Sequence, residues 1–161
     1  MPRNASIVLY SHLCSSKATA AGESPTHLHF YFHENFSSGP NGTTVQVAAP
    51  RSNGSFFGAM FVIDDMLREG ADPASRLLGR AQGLTVGASL SDGALLTALD
   101  FVFTEGPYNG SSLVLLGRAL LGTVMERPIV GGTGAFRMAR GYTLSKMITS
   151  PDPNSLLILR V

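Results

Sequence analysis

His27 and His29, one residue apart and followed by Glu34, have the types and spacing of a metal-ligating set. A centre of that kind would support metal-dependent oxygen chemistry, but it needs a further histidine from elsewhere. The chain has only His12, His27, His29 and His33, so nothing after position 33 can complete it. Side chains alternate along a strand, which puts His27, His29, Tyr31 and His33 on one face and Leu28, Phe30, Phe32 and Glu34 on the other. The expectation is therefore no metal and no cofactor. Glu34 gains a different meaning from the same alternation. A carboxylate that continues the face of Phe30 and Phe32 into an apolar pocket has its pKa raised toward the range useful for proton transfer.

The adjacent carboxylates Asp64 and Asp65 point to opposite faces of a strand and cannot work as a facing acid and base. One looks inward and one outward, and Asp64 is assigned to substrate binding. Gly131-Gly132-Thr133-Gly134 lacks the lysine and the spacing of a phosphate-binding loop and reads as a tight turn. Nothing around the serines marks a nucleophile elbow.

These residues must be positioned by short strands. Gly and Pro, 18 and 9 of 161 residues, punctuate the chain too often for long helices. Apolar residues make up 44%, enough for the core of one domain. Charged residues are only 14% and the net charge is +1 with no basic run, which leaves no electrostatic footprint for nucleic acid. Apolar alternation between turn clusters predicts eight strands, at residues 27–34, 43–49, 55–64, 76–86, 94–104, 112–120, 134–143 and 155–161, with Val124 to Ile129 left as a loop. An all-β, eight-stranded antiparallel up-and-down barrel satisfies that pattern and removes exposed sheet edges. A Greek-key sandwich is its rival. An eight-stranded barrel is just wide enough to be packed solid or to hold one small ligand.

The N-terminal stretch combines Arg3, an interrupted apolar run from Ala5 to Cys14 and the small-residue pattern Ala18-Thr19-Ala20. It reads as a signal peptide of residues 1–20, leaving a domain of residues 21–161 that is secreted to the extracellular space. No later run approaches the ~18 apolar residues of a membrane span. Five of the six asparagines, Asn4, Asn35, Asn41, Asn53 and Asn109, stand in Asn-x-Ser/Thr sequons, and all but Asn4 would remain as glycosylation sites after cleavage. The single cysteine, Cys14, would be lost with the signal.

Six blocks in order carry a family resemblance. They are Phe30-Tyr31-Phe32-His33-Glu34, Phe57-Gly58 ahead of Asp64-Asp65, Gly79-Arg80-Ala81-Gln82-Gly83, Phe101-Val102-Phe103-Thr104 before Tyr108-Asn109-Gly110-Ser111, Val130-Gly131-Gly132-Thr133-Gly134, and Phe136-Arg137-Met138-Ala139-Arg140-Gly141-Tyr142. From about residue 27 onward the chain resembles the plant dirigent proteins. The resemblance implies a glycosylated, apoplastic eight-stranded barrel related to allene oxide cyclases, a homo-oligomer (trimer or dimer) with an aromatic-lined cavity. It also implies an auxiliary without an oxidation centre. An external oxidase, a laccase or peroxidase, supplies phenoxy radicals of the coniferyl alcohol type, which the protein orients for stereoselective coupling in lignan and phenylpropanoid biosynthesis. Other members cyclise quinone methides. Glu34 stands where the family has a cavity aspartate, Thr85 where it often has a pocket tyrosine, and Ala119 where it has Asn or Asp. Arg127 is the nearest counterpart of a family arginine that precedes Glu-x-Pro. The expected site is Glu34 as catalytic residue with Phe30, Phe32, Asp64, Thr85 and Arg127 binding a small phenolic substrate or radical. The alternative is a defence-related barrel that holds a small apolar ligand without chemistry.

Overall fold

A computed structural model of the chain describes residues 7–10, 25–37, 39–148 and 156–160, with backbone only for the first and last of these segments. The rest of the expected signal segment, including Asn4, Cys14 and the cleavage site, lies outside the described residues. Eleven strands and two short 3-10 turns form one antiparallel sheet. The strands are β1 (Ile7–Tyr10), β2 (Thr26–Leu28), β3 (Tyr31–Asn35), β4 (Thr44–Ala48), β5 (Met60–Arg68), β6 (Leu77–Gly87), β7 (Ala94–Phe103), β8 (Ser112–Leu120), β9 (Met125–Thr133), β10 (Arg140–Ile148) and β11 (Leu156–Arg160).

The sheet closes on itself. β3, β5, β6, β7, β8, β9 and β10 follow one another, and β11 pairs with both β10 and β3, so eight strands make a complete ring. This is the up-and-down barrel expected from the sequence, although its members differ from the expected set. β4 does not join the ring but pairs with β5 over Thr44–Ala48, on the flank that β3 leaves free beyond His33↔Met66. The eighth place is taken by β9, in the stretch expected to be a loop. The slot between β10 and the β2–β3 segment is shared, since β11 pairs with Lys146–Ile148 while β1 pairs with Arg140–Tyr142 and with β2.

Two further expectations are corrected. Residues 27–34 are not one strand, because the ladder breaks at His29 and Phe30. Gly131 to Thr133 is not a turn but the end of β9, and only Gly134 leaves it, to open the 3-10 turn Gly134–Phe136. Gly132 is required by close approach, since a Cβ there would lie 2.4 Å from the Ser112 carbonyl oxygen and 2.9 Å from Phe136 Cβ.

Inside the ring, alternate residues of each strand meet. At one end Phe30, Phe101, Phe103 and Phe136 fill the interior, joined by Tyr108. Phe30 packs edge-on against Phe101 and Phe103 at ring-centre distances of 5.3 and 6.1 Å. Each such aromatic contact adds about 0.5–1.5 kcal/mol beyond area burial. At the other end the inward positions carry Thr85, Thr97 and Ala119, which are too small to meet across the ring. That end is hollow.

On the outer face of β3, His33 is buried beneath the β5–β6 hairpin, where Nε2 lies 3.0 Å from the Gly70 carbonyl oxygen and Nδ1 has no partner. Burial holds its pKa below the ordinary 6.5, and the Arg68 charge adds to this against the pull of the Gly70 carbonyl and Asp72. Folding therefore favours the neutral ring. The stability it supports is complete above 6.5 and is lost as pH falls toward the depressed folded-state value. Thermal melts should show the native chain losing stability relative to His33→Phe as pH falls from about 7 to about 5; a constant difference would rule this out.

Candidate functional site

The hollow end of the barrel is a cavity of about 230 Å³. Its floor is Phe32, Ile63 and Leu99, which also belong to the packed core. Its mouth is aromatic. Phe36, just past β3, stands edge-on to Phe61 of β5 at 6.3 Å, and Phe36 and Phe56 are each 48% exposed. The loop carrying Phe56 is bound to the end of β6 by Gly58 N–H to the Gly87 carbonyl (2.9 Å) and Gly87 N–H to the Ala59 carbonyl (2.8 Å). A side chain at residue 87 would collide with the Phe56 carbonyl, whose oxygen lies 1.7 Å from the Cβ position.

Two charged residues line this apolar space, Glu34 from β3 and Arg127 from β9. Glu34 is 7% exposed. Burial first, and the nearby Asp65 charge second, raise its pKa to about 8, while the Arg127 charge pulls the other way. At neutral pH the carboxyl is mostly protonated and is a hydrogen-bond donor as well as an acceptor. Arg127 is 3% exposed, and burial lowers its pKa to about 10, so it remains a cation. Its Nη2 donates to Ser145 Oγ at 2.6 Å, but its buried Nε has no partner. A protonated carboxyl and a guanidinium cation therefore line one small apolar cavity.

The strand alternation places Phe32 and Glu34 in the cavity, as expected, and Thr85 and Arg127 line it too. Thr85 Oγ1 donates to the Leu96 carbonyl at 3.3 Å. Two expected residues lie elsewhere. Phe30 shares the inner face with Phe32 but sits at the packed end, edge-on to Phe101 and Phe103 and outside the cavity. Asp64 faces outward, its side chain 52% exposed and paired with Arg80 Nε at 2.5 Å and Gln82 Nε2 at 3.0 Å. The Arg80 hydrogen bond lowers its pKa. It is Asp65 that turns inward, 0% exposed, between Ile63 and Leu67 on the same face of β5. Residues missed by sequence reasoning include the mouth phenylalanines, Thr44 and Ser145. Alternation would have found Ser145, two residues from buried Thr143 on β10.

Of the sequon asparagines, Asn41, Asn53 and Asn109 are exposed in turns. Asn35 is half-buried, and its Oδ1 accepts the Ser37 N–H at 2.9 Å. The members of the candidate metal set do not converge, as His27 and His29 are exposed while Glu34 is buried in the cavity wall. Among the described residues no cluster of metal-ligating side chains is found.

The closed antiparallel barrel thus carries, at its hollow end, an aromatic mouth and a buried acid and cation around one small cavity. Residues 25–161 match the family model described as "Dirigent-like protein". Dirigent protein 23 of Arabidopsis thaliana is 45% identical over 125 residues, covering 75% of this chain and 66% of that protein. Pterocarpan synthase 1 of Glycyrrhiza echinata is 40% identical over 149 residues, covering 88% of this chain and 79% of the relative. The solved structure of the pterocarpan synthase dirigent protein GePTS1 superposes with a TM-score of 0.77 at 36% identity, covering 89% of this chain and 84% of that one. The chain belongs to the dirigent family.

The buried acid also has a thermodynamic signature. With its folded-state pKa raised from 4.5 to about 8, Glu34 is neutral in the folded chain and ionised in the unfolded one between those values. Stability it supports below 4.5 is lost as pH rises through about 8. Glu34→Gln removes that loss. Its melting temperature should exceed that of the native chain by several degrees near pH 8 and converge with it near pH 4.5, as measured by scanning calorimetry. Equal melting at both pH values would contradict a buried, protonated Glu34.

Proposed function

We propose that this dirigent protein steers the stereoselective cyclisation of a phenolic quinone-methide intermediate in phenylpropanoid metabolism, with Glu34 as the acid. The observation that carries this reading is that a protonated Glu34 carboxyl and the Arg127 cation line one otherwise apolar cavity. The name of the Glycyrrhiza relative, a pterocarpan synthase, supports it, as does the structural match to a pterocarpan synthase dirigent protein. The cavity of about 230 Å³ has room for a compact aromatic intermediate.

In this mechanism the cavity walls hold the ring system so that only one face of the methide carbon meets the internal hydroxyl. Glu34 gives its proton to the quinone carbonyl oxygen, and the Arg127 cation stabilises the charge that builds on the substrate's oxygens. The hydroxyl oxygen bonds to the methide carbon, the exocyclic double bond becomes part of a restored aromatic ring, and the hydroxyl proton returns to the carboxylate that Glu34 has become. Nothing is oxidised or reduced. The reaction is an isomerisation, and any oxidant acts before it in a separate protein. Exposed sequons at Asn41, Asn53 and Asn109 support the further reading of a secreted glycoprotein.

Incubation with quinone-methide precursors bearing a neighbouring phenol, followed by chiral chromatography, tests the proposal. The native chain should give one enantiomer in excess. Glu34→Gln should lower the rate by ~10²-fold or more and bring the product toward the racemate. Arg127→Met, which keeps the bulk and removes the donor, should also lower the excess. Full selectivity in Glu34→Gln would refute the acid role and return the cavity to simple ligand binding.

A further inference from the structure

Directly behind Glu34 is a second buried carboxylate. β3 and β5 pair as Phe32↔Leu67 and His33↔Met66, and one step beyond the last pair the register sets Glu34 against Asp65. Asp65 is 0% exposed, yet it is surrounded by donors. Thr43 Oγ1 donates to its Oδ1, Thr44 Oγ1 lies 3.1 and 3.0 Å from its two oxygens, and the backbone N–H of Asn35, the residue after Glu34, also bonds to it. The same segments are tied by backbone bonds. Thr43 N–H donates to the Asn35 carbonyl and Asp64 N–H to the Thr43 carbonyl, both at 2.9 Å. Asn35 N–H reaches Thr43 Oγ1 as well, at 3.2 Å.

We propose that Asp65, held by Thr43 and Thr44, is a positioning residue for Glu34: a buried anion that locks the end of β3 onto β4 and β5 and keeps the proton on the cavity carboxyl. The inference rests on Glu34 being the working acid of the cavity. Hydroxyl and amide donors stabilise a negative charge at Asp65 far better than the apolar wall does at Glu34. The two carboxyls are therefore driven apart in acidity: Asp65 is raised by burial only to about 6, because its donors oppose the rise, while Glu34 reaches about 8. Two adjacent carboxyls with separated acidities divide the roles of fixed charge and proton donor. Among the described residues, the charges bearing on Glu34 are Asp65 from β5 and Arg127 from β9. The other strands around the cavity offer neutral groups there, such as Thr44 from β4, Thr85 from β6, Thr97 from β7, Ala119 from β8 and Met147 from β10. Asp65 is thus the one negative charge that holds the proton on Glu34, and Arg127 is the charge it opposes.

The test reads the proton directly. In protein labelled with 13C at glutamate side-chain carboxyls, the Glu34 resonance is assigned by its loss in Glu34→Gln and followed through a pH titration. Asp65→Asn keeps shape and removes the charge, and should move the Glu34 midpoint down by about one pH unit or more. Thr43→Val, which withdraws a donor from the Asp65 anion and leaves the cavity wall intact, should move it the same way by a smaller amount. It serves as the deciding variant if Asp65→Asn does not fold. A Glu34 midpoint that stays in place in the folded variants overturns the proposal. No activity enters this measurement, so its failure is distinct from failure of the functional reading, which would appear as unchanged selectivity in Glu34→Gln.

Discussion

Ring closure by backbone hydrogen bonds is the constraint on which the rest of this structure depends. Once β11 joins β10 to β3 the eight strands of the ring are each paired on both sides, and their inward side chains are forced toward a common axis. What happens along that axis depends on side-chain size alone. Phenylalanines from several strands meet and fill one end, while Thr85, Thr97 and Ala119 cannot reach one another at the other end. The same backbone is a solid core for half its length and a container for the rest.

Placing ionisable groups in the container runs against stability. A carboxyl and a guanidinium in an apolar cavity are each displaced toward neutrality by lost hydration, and an isolated pair of this kind seldom stabilises a fold. The packed end, with its interlocked rings and fully buried Leu67, Leu113 and Leu115, offsets that cost. Residues that hold the barrel together and residues that act on a ligand are therefore separated along its axis. Phe32, Ile63, Leu99, Ala119 and Met125 serve both, as the boundary layer.

Alternation and turn chemistry made the barrel, Phe32 and Glu34 legible in the chain, and six blocks of residues pointed to the family. The misreadings have local physical causes. β9 looked like a loop because Glu126, Arg127 and Pro128 interrupt its apolar pattern. In the structure Arg127 points into the cavity, and the β8 ladder stops at Leu115↔Ile129, just short of the proline. Phe30 was misplaced because period-2 counting gives a residue's face but not its height along the barrel axis, where the cavity ends at Phe32. The choice between Asp64 and Asp65 depended on a strand phase that the run from Ser55 to Asp64 leaves open when its true start is Met60. The threonine cradle of Asp65 depends on contacts between residues about twenty positions apart, and no local spacing encodes it.

The slot shared by β1 and β11 gives the barrel a seam. Elsewhere neighbouring strands are zipped by up to nine consecutive residue pairs, as between β6 and β7, and are joined by short connections. Along β10 the last slot is instead closed by three pairs from β11 and three from β1, and the latter three would be lost from a chain cleaved after Ala20. These two segments come from opposite ends of the sequence, so neither can dock until the curved sheet between them exists. The entropy of that long closure falls on the final step of assembly. A cylinder built this way behaves like a cuff with one clasp: its circumference can open by releasing a few rungs while the meander of β5 to β9 stays intact. In the uncleaved chain, amide protons of β1 and β11 should then exchange with solvent before those of β6 and β7. The clasp borders β3, the strand that carries Glu34.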